Sequence, residues 1–364
     1  RLCSIVDAGE RCIDSGGRDH EKALSILTAG CLAVSLAACG STAASSAASA
    51  ADSTASSAAE STAASDTAAA DGQTYKVGIC QLVQHVALDA ATQGFKDALT
   101  EQLGDAVTFE EKNAQGDSNT CSTIINGFVS DDVDLILANA TPALQAAQAG
   151  TNTIPVLGTS VTEYGVALGI DDFDGLVGTN ISGTSDLAPL DEQAGIIKEL
   201  FPDAKTVGLL YCSAEPNSQY QVDTVKASLE ELGYTCEYYA FSDSNDLATV
   251  CQSAADASDV IYVPTDNTVA NNTEIVNNIC QPAGVPVVAG EEGIMGGCGV
   301  ATLSISYYDL GVATGKMAAK ILTGESKVEE MPIEYAPEFT KEYNPTIAEA
   351  LGITIPDDYV AYEG

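Results

Sequence analysis

An α/β fold with two lobes, each built on a parallel sheet covered by helices, is predicted from three features of the sequence. From about residue 75 onward, short apolar runs that suit buried strands alternate with segments of helical periodicity. This alternation occurs twice, in a series that starts at Tyr75 and in a second series that starts at Leu187. The two series together span roughly 290 residues, a length at which single cores usually give way to two domains.

The first series begins with the apolar run YKVGICQ. Its predicted strands are 75–81, 107–113, 135–138 and 155–158. Its predicted helices are 88–102, 120–130 and 142–149. Pro142 suits the first position of the last of these helices, because that position needs no N–H donor.

The second series repeats this pattern and is followed by one more helix. Its predicted strands are 206–211, 235–241, 260–263 and 285–289. Its predicted helices are 190–201, 218–232, 246–257 and 269–281, with the additional helix at 309–322. Because runs such as VIYV are apolar throughout, these strands are expected to be buried on both faces, as in parallel sheets.

The N-terminal part carries the features of an export signal. Lys22 precedes the apolar run 23–35, which is too short to span a bilayer, and Leu36-Ala37-Ala38-Cys39 follows. This order resembles the lipobox of bacterial lipoproteins, so a signal peptide over 22–38 and lipidation at Cys39 are expected. The alternative is a buried core helix with an incidental cysteine.

The segment after Cys39 is almost wholly Ser, Ala and Thr. Such a composition buries too little apolar surface to offset the entropy of ordering, so 39–74 is predicted to be a disordered tether between the lipid and the folded part. Residues 1–21 show no periodicity and are expected to be an upstream or non-native leader.

Charge and motifs exclude several functions. With 14 basic against 52 acidic residues and a net charge of −38, binding to nucleic acid is not expected. There is no G-x-S-x-G or P-loop motif, no CxxC pair and no cluster of histidines, so neither an enzyme, a metal site nor a cofactor is predicted.

Polar residues follow the predicted strands, where ligands bind in parallel α/β sheets. The first series offers hydroxyl donors suited to a carboxylate, namely Thr141, Thr159 and Ser160. The second offers carboxylates suited to an ammonium group, namely Glu215, Asp266 and Glu291. A cleft with donors on one wall and acceptors on the other suits a zwitterionic amino acid, although each residue alone could be a helix cap.

Six sequence blocks resemble a known family. They are VGICQLVQHVALDAATQGFKDAL, LANATPALQAAQ, NISGTSD, YCSAEPNS, VPTDNTVA and SYYDLG. In this order they are similar to the ABC-transporter substrate-binding proteins that bind tryptophan and other aromatic amino acids. The resemblance implies the type I periplasmic-binding-protein fold, with the ligand in the interlobe cleft and crossovers near 181–183, 304–306 and 325. Lobe 1 would comprise 75–181 and 307–325, and lobe 2 would comprise 182–306 and 326–364.

The resemblance also implies the ligand site and the partners. The implied ligand-binding residues are Gln84, Thr141, Thr159, Ser160, Glu215, Asn217, Asp266 and Asn267. The implied partners are an amino acid, an ABC permease and its ATPase, with the protein a monomer held by its lipid on the extracellular face of the membrane. A sensory receptor for the same ligand, or a nucleoside or sugar binder on the same fold, is the alternative.

Two positions depart from the family pattern, Val86 where proline is usual and Tyr164 in place of the proline of a Thr-Asp-Pro turn. Both are expected to line the cleft. Because the chain lacks tryptophan, stacking on the ligand would fall to tyrosine or phenylalanine. The candidates are Tyr164, Tyr211 and Tyr307.

Overall fold

The structure, a computed structural model, describes residues 73–363. The predicted leader, signal peptide, lipidated Cys39 and nearly all of the tether therefore lie outside the described residues. Within residues 73–363, no helix combines the length and the apolar character needed to cross a membrane.

Strands and helices alternate as the sequence predicts. The first elements are β1 (Tyr75–Gln81), α1 (Val86–Leu103), β2 (Val107–Asn113), α2 (Ser118–Ser130), β3 (Leu135–Asn139), α3 (Thr141–Gly150), β4 (Val156–Val161), α4 (Tyr164–Leu168) and β5 (Ile181–Ser185). Next come α5 (Leu190–Leu200), β6 (Thr206–Cys212), α6 (Pro216–Glu231), β7 (Thr235–Phe241), α7 (Ser244–Ala257), β8 (Val260–Val263), α8 (Asn267–Ala270), α9 (Thr273–Ala283), β9 (Val287–Ala289), α10 (Glu292–Cys298) and β10 (Ala301–Ser304). The chain ends with α11 (Tyr307–Leu322), β11 (Glu334–Tyr335), β12 (Thr340–Tyr343), α12 (Pro345–Leu351) and β13 (Val360–Ala361).

Two separate sheets confirm the two-lobed α/β prediction. The first has the order β11-β5-β4-β3-β1-β2, and all of its strand pairs are parallel. The second has the order β13-β12-β10-β9-β8-β6-β7, and its one antiparallel pair joins β10 to β12. We call the first sheet with its helices lobe 1 and the second sheet with its helices lobe 2.

The core of lobe 1 lies on both faces of its sheet. Leu135 and Leu137 of β3 pack with α1 and α11 on one face. Ile136 and Ala138, which alternate with them, pack with Phe128 of α2 on the other face. Burial on both faces explains why β3 is apolar throughout instead of alternating apolar and polar residues.

The chain crosses between the lobes at positions that differ in part from those expected. β5 pairs with β4 in the first sheet, so the first crossover follows Ser185 instead of lying at 181–183. β11 also pairs with β5, so the third crossover runs through 336–339 instead of lying near 325. The residues 182–185 and 334–335 thus belong to lobe 1. The second crossover runs through Ile305 and Ser306.

Helices α1 and α11 approach each other closely because glycines lie at their contact. A Cβ atom added at Gly311 would overlap the carbonyl oxygen of Ala91, and one added at Gly94 would overlap the carbonyl oxygen of Tyr308. Neither carbonyl can move without moving its helix. The contact therefore fixes the N-termini of both helices, which border the cavity described below.

We expect Gly311→Ala to lower the free energy of unfolding by about 1–3 kcal/mol, because overpacking forces the two helices apart. Gly195→Ala is the matched control, since a Cβ there meets nothing within 4 Å and α5 would gain about 0.4–1 kcal/mol from lower chain entropy. Urea denaturation of both variants measures the difference. Equal stability of the two variants would contradict the close contact.

Candidate functional site

A cavity lies between the lobes, where the carboxyl ends of the strands in both sheets meet. Its empty volume is about 290 Å³, open solvent at its mouth included. The residues that line it are His85, Leu88, Ser160, Thr162, Asp186, Asn217, Thr265, Asp266, Asn267, Ala270, Glu291 and Tyr307.

Four of these residues carry a buried polar atom that has no hydrogen-bond partner. The atoms are His85 Nδ1, Ser160 Oγ, Asp186 Oδ1 and Asn217 Oδ1. Buried polar groups in proteins are nearly always paired, so four unpaired ones around a single cavity indicate a polar ligand with both donors and acceptors. The atoms come from both lobes, so a ligand that satisfies all four must contact both.

Three buried carboxyl groups border the same cavity. Asp186, Asp266 and Glu291 are only 5%, 1% and 2% exposed, and no lysine or arginine is among the lining residues. Burial raises the pKa of all three, that of Asp266 to about 8, where neighbouring Glu215 adds to the effect, and that of Glu291 to about 7. The cavity therefore lacks a positive charge, which a ligand ammonium group would supply.

The three carboxyl groups differ in their remaining capacity to accept hydrogen bonds. Asp266 accepts from the backbone N–H groups of Cys212 and Val269, at 2.7 and 2.9 Å. Both oxygens of Glu291 accept from backbone N–H groups at the start of α10. Asp186 accepts from the Tyr307 hydroxyl through Oδ2, at 2.9 Å, and its Oδ1 is unpaired. Of the three carboxyl groups, Asp186 therefore has the oxygen that is free to accept a hydrogen bond from an ammonium group.

Ser160 owes its position to an irregular backbone. It lies in β4 with φ of 53°, in the left-handed region that non-glycine residues seldom adopt. The pairing of β4 with β5 shifts register between Gly158 and Val161, so the strand is bulged at this point. Strain of this kind is characteristic of residues held for function.

The structure brings together only part of the predicted site. Ser160, Asn217, Asp266 and Asn267 line the cavity, whereas Gln84 is exposed outside it. The other predicted residues that do not line it are Thr141, Thr159 and Glu215.

Each of the residues outside the cavity has a different environment. Thr141 is buried at the start of α3, and Thr159 lies within lobe 1, where Thr184 and Thr314 donate to its hydroxyl at 3.2 Å each. Glu215 accepts hydrogen bonds from the backbone N–H groups of Asn267 and Thr268 at the start of α8. Helix capping thus accounts for Glu215, as the alternative interpretation allowed.

The positions that depart from the family pattern also lie outside the cavity. Val86 is exposed, and Tyr164 is buried in lobe 1, where its hydroxyl donates to the Thr184 carbonyl. Of the three tyrosines considered for stacking, only Tyr307 borders the cavity, while Tyr211 packs edge-on against Tyr238 in lobe 2.

Sequence reasoning missed His85 and Asp186 as site residues. His85 directly follows Gln84 in the loop after β1, so the sequence predicts the correct loop but the wrong side chain in it. Asp186 follows β5, whose polar sequence ISGTS gave no strand signal, so no strand end was expected there. It is nevertheless the last residue of the block NISGTSD.

The lobes are in contact across the cavity. His85 Nε2 of lobe 1 lies 3.2 Å from Asn267 Oδ1 of lobe 2, and the hydroxyls of Thr162 and Thr265 are 3.3 Å apart. The Gln221 side-chain amide of lobe 2 also donates to the Thr162 hydroxyl of lobe 1, at 3.5 Å. These bonds describe a closed arrangement.

Comparisons with known proteins identify the family to which the chain belongs. Residues 76–363 match the family described as ABC transporter substrate binding protein. A tyrosine-binding protein of Clostridioides difficile is 36% identical over 260 residues, which cover 71% of this chain and 75% of that protein. An ABC domain in complex with L-Trp from Streptococcus pneumonia has 34% identity and a TM-score of 0.75, covering 78% of this chain and 97% of that one. The ligand-free, open structure of a substrate-binding protein with adhesive properties from Clostridium difficile has 38% identity and a TM-score of 0.61, covering 80% of this chain and 100% of that one.

The chain belongs to the ABC transporter substrate-binding proteins, a family of extracytoplasmic solute-binding proteins. The resemblance seen in the sequence blocks and the type I periplasmic-binding-protein fold are thereby confirmed. The chain superposes better on the L-Trp complex than on the open structure, although the open one is more similar in sequence. Its lobes are therefore arranged more like those of the liganded relative.

The buried carboxyl groups predict that stability of the ligand-free protein falls as pH rises. Their folded pKa values lie above the ~4 of unfolded carboxyl groups, so the folded state binds more protons and loses stability up to the folded values. Between pH 6.5 and 8 we expect a loss of about 1–3 kcal/mol in the free energy of unfolding. Burial lowers the pKa of His85, so this residue raises stability with pH only until an unfolded histidine has lost its proton, at pH ~6.5.

Urea denaturation at several pH values measures this slope. Glu291→Gln should flatten it, whereas substitution of the exposed Asp203 by asparagine should leave it unchanged. A ligand-free protein whose stability does not vary over this range would show that these carboxyl groups are solvated.

Proposed function

We propose that the protein captures an aromatic or large apolar amino acid in the interlobe cavity and presents it to an ABC permease and its ATPase. The observation that carries this proposal is the set of four unpaired polar atoms beside three buried carboxyl groups. A zwitterion supplies what the cavity lacks, a cation for the carboxyl groups and an anion for the hydroxyl donors.

The α-ammonium group would bind to Asp186 Oδ1 and Asn217 Oδ1, with Asp266 behind them as a further negative group. Both oxygens are buried acceptors without a partner. The α-carboxylate would accept a hydrogen bond from Ser160 Oγ, which is the unpaired hydroxyl donor of lobe 1. Thr162 and Thr265 supply further hydroxyls at the same cavity.

The choice of an aromatic or large apolar side chain is supported by the relatives. One is described as tyrosine-binding and another was solved with L-Trp. In this chain Leu88 and Ala270 supply apolar surface, and Tyr307 supplies a phenol ring.

We expect isothermal titration of the protein to detect binding of L-tyrosine, L-tryptophan or L-phenylalanine and not of sugars. Asp186→Asn should weaken binding at least 100-fold, because loss of a buried charge partner costs ~3–5 kcal/mol. Ser160→Gly should weaken it about 10- to 100-fold through loss of one charge-assisted hydrogen bond. Glycine relieves the strain at φ of 53°, so this loss would not reflect unfolding.

The exposed Asp203→Asn variant is the control for a charge change alone and should bind like wild type. Wild-type binding by Asp186→Asn would remove Asp186 from the site. Stabilisation by sugars or nucleosides in place of amino acids would overturn the ligand class.

We further infer that the protein is a monomeric lipoprotein held at the outer face of the cell membrane through Cys39. The proposal rests on the order Leu-Ala-Ala-Cys after an apolar run and on the Ser/Ala-rich segment that follows. That segment is long enough in extended form to separate the folded part from the bilayer.

Replacement of Cys39 by alanine should leave an unprocessed precursor without a lipid, and Triton X-114 partitioning should move it from the detergent to the aqueous phase. Cys31→Ala, which alters the other cysteine of the apolar run, should partition like wild type. A Cys39→Ala protein that stays in the detergent phase would refute the anchor.

A further inference from the structure

His85 connects the ligand cavity to the contact between the lobes. It is the only histidine among residues 73–363, and it stands at the N-cap position of α1 in lobe 1, where its side chain makes no capping hydrogen bond. Its Nε2 atom lies 3.2 Å from Oδ1 of Asn267 in lobe 2. Its Nδ1 atom is buried without a partner, and the residue lines the cavity.

The orientation of the Asn267 amide is determined by Glu215. The Asn267 Nδ2 group donates to Glu215 Oε2 at 2.7 Å, and a carboxylate can only accept. Glu215 is itself held by the backbone N–H groups of Asn267 and Thr268 and by the Thr268 hydroxyl, at 3.0, 2.9 and 2.8 Å. Asn267 Oδ1 is therefore the atom that faces His85.

This arrangement determines the histidine tautomer. Because an amide oxygen only accepts, His85 Nε2 must carry the hydrogen that bonds to it. Burial lowers the pKa of His85, which keeps the imidazole neutral, so Nδ1 is left as a bare acceptor. A ligand atom that pairs with Nδ1 must be a hydrogen-bond donor.

We propose that His85 Nδ1 accepts a hydrogen bond from an N–H or O–H group of the bound amino acid, and that Asn267 and Glu215 position it for this role only when the lobes are closed. The proposal rests on the proposed function and adds a specificity-determining residue to the site. His85 recognises the ligand, while Asn267 and Glu215 act through it. Because Asn267 belongs to the opposite lobe, the acceptor is fixed in place at the moment of closure, and ligand binding and closure stabilise each other.

The donor is either the α-ammonium group or a donor on the side chain, and three amino acids distinguish the two. L-Tyrosine and L-tryptophan carry a side-chain donor, whereas L-phenylalanine does not. We expect His85→Leu to weaken binding about 10- to 100-fold. An equal loss for all three ligands identifies the ammonium group as the donor, and a loss confined to tyrosine and tryptophan identifies the side chain.

Nitrogen-15 NMR of the imidazole tests the tautomer directly. A His20→Gln background in the full chain leaves His85 as the only histidine, so its two ring nitrogens can be observed without assignment. With L-tyrosine or L-tryptophan bound, Nε2 should be protonated and Nδ1 bare. Asn267→Leu should reduce the population of this tautomer and weaken binding less than His85→Leu, which is a result that loss of packing alone would not produce.

His85→Gln is the conservative variant, because its amide offers a donor and an acceptor and should restore part of the affinity lost in His85→Leu. A protonated Nδ1 in the bound state, or wild-type affinity of His85→Leu for all three amino acids, would overturn the proposal. If the wild-type protein binds none of the three, the proposed function itself fails, and this outcome is distinct from the first two.

Discussion

Burial of the central strands on both faces of both sheets is the constraint on which the site depends. Strands such as β3 and β8 are buried over their whole length, so polar side chains that are free to meet a ligand lie at or near the ends of strands. At these ends the chain turns into helix N-termini, whose free N–H groups need acceptors. Capping and ligand binding therefore compete for the same residues. Asp266 and Glu291 both line the cavity and cap helices. Glu215, in contrast, caps α8 and does not line the cavity.

This competition explains what could be predicted from the sequence. The strand ends and their loops were identified, because apolar runs such as LILAN and VIYV are unambiguous. Which polar residue in a loop faces the ligand depends on which hydrogen-bonding groups are already paired, and this is decided by tertiary contacts that a single sequence does not reveal. Thr159 was predicted to contact the ligand, yet its hydroxyl belongs to a cluster with Thr184 and Thr314, and the next residue, Ser160, carries the free hydroxyl.

The elements that the sequence did not reveal escaped prediction for two physical reasons. β5 is buried although it reads ISGTS, because its polar side chains find partners within the protein; Ser182 donates to the Met331 carbonyl at 2.9 Å. Helices α4, α8 and α10 have only five, four and seven residues, too few for a helical period to be recognised. Because β5 was not predicted, the first crossover was expected too early in the chain. For the same reason Asp186, which follows β5, was not recognised as a residue at a strand end.

The position of Asp186 links the ligand to the hinge. It lies in the first crossover and accepts a hydrogen bond from Tyr307, which directly follows the second. Tyr307 in turn packs with Ile305 and with Ala336 of the third crossover. An ammonium group at Asp186 would thus lie at the first crossover, which Tyr307 links to the other two, with Asn217 of lobe 2 as its second acceptor. His85 and Ser160 border the same cavity from lobe 1. A ligand held in this way favours the closed arrangement, since only there are acceptors from the hinge and both lobes within reach of one small molecule.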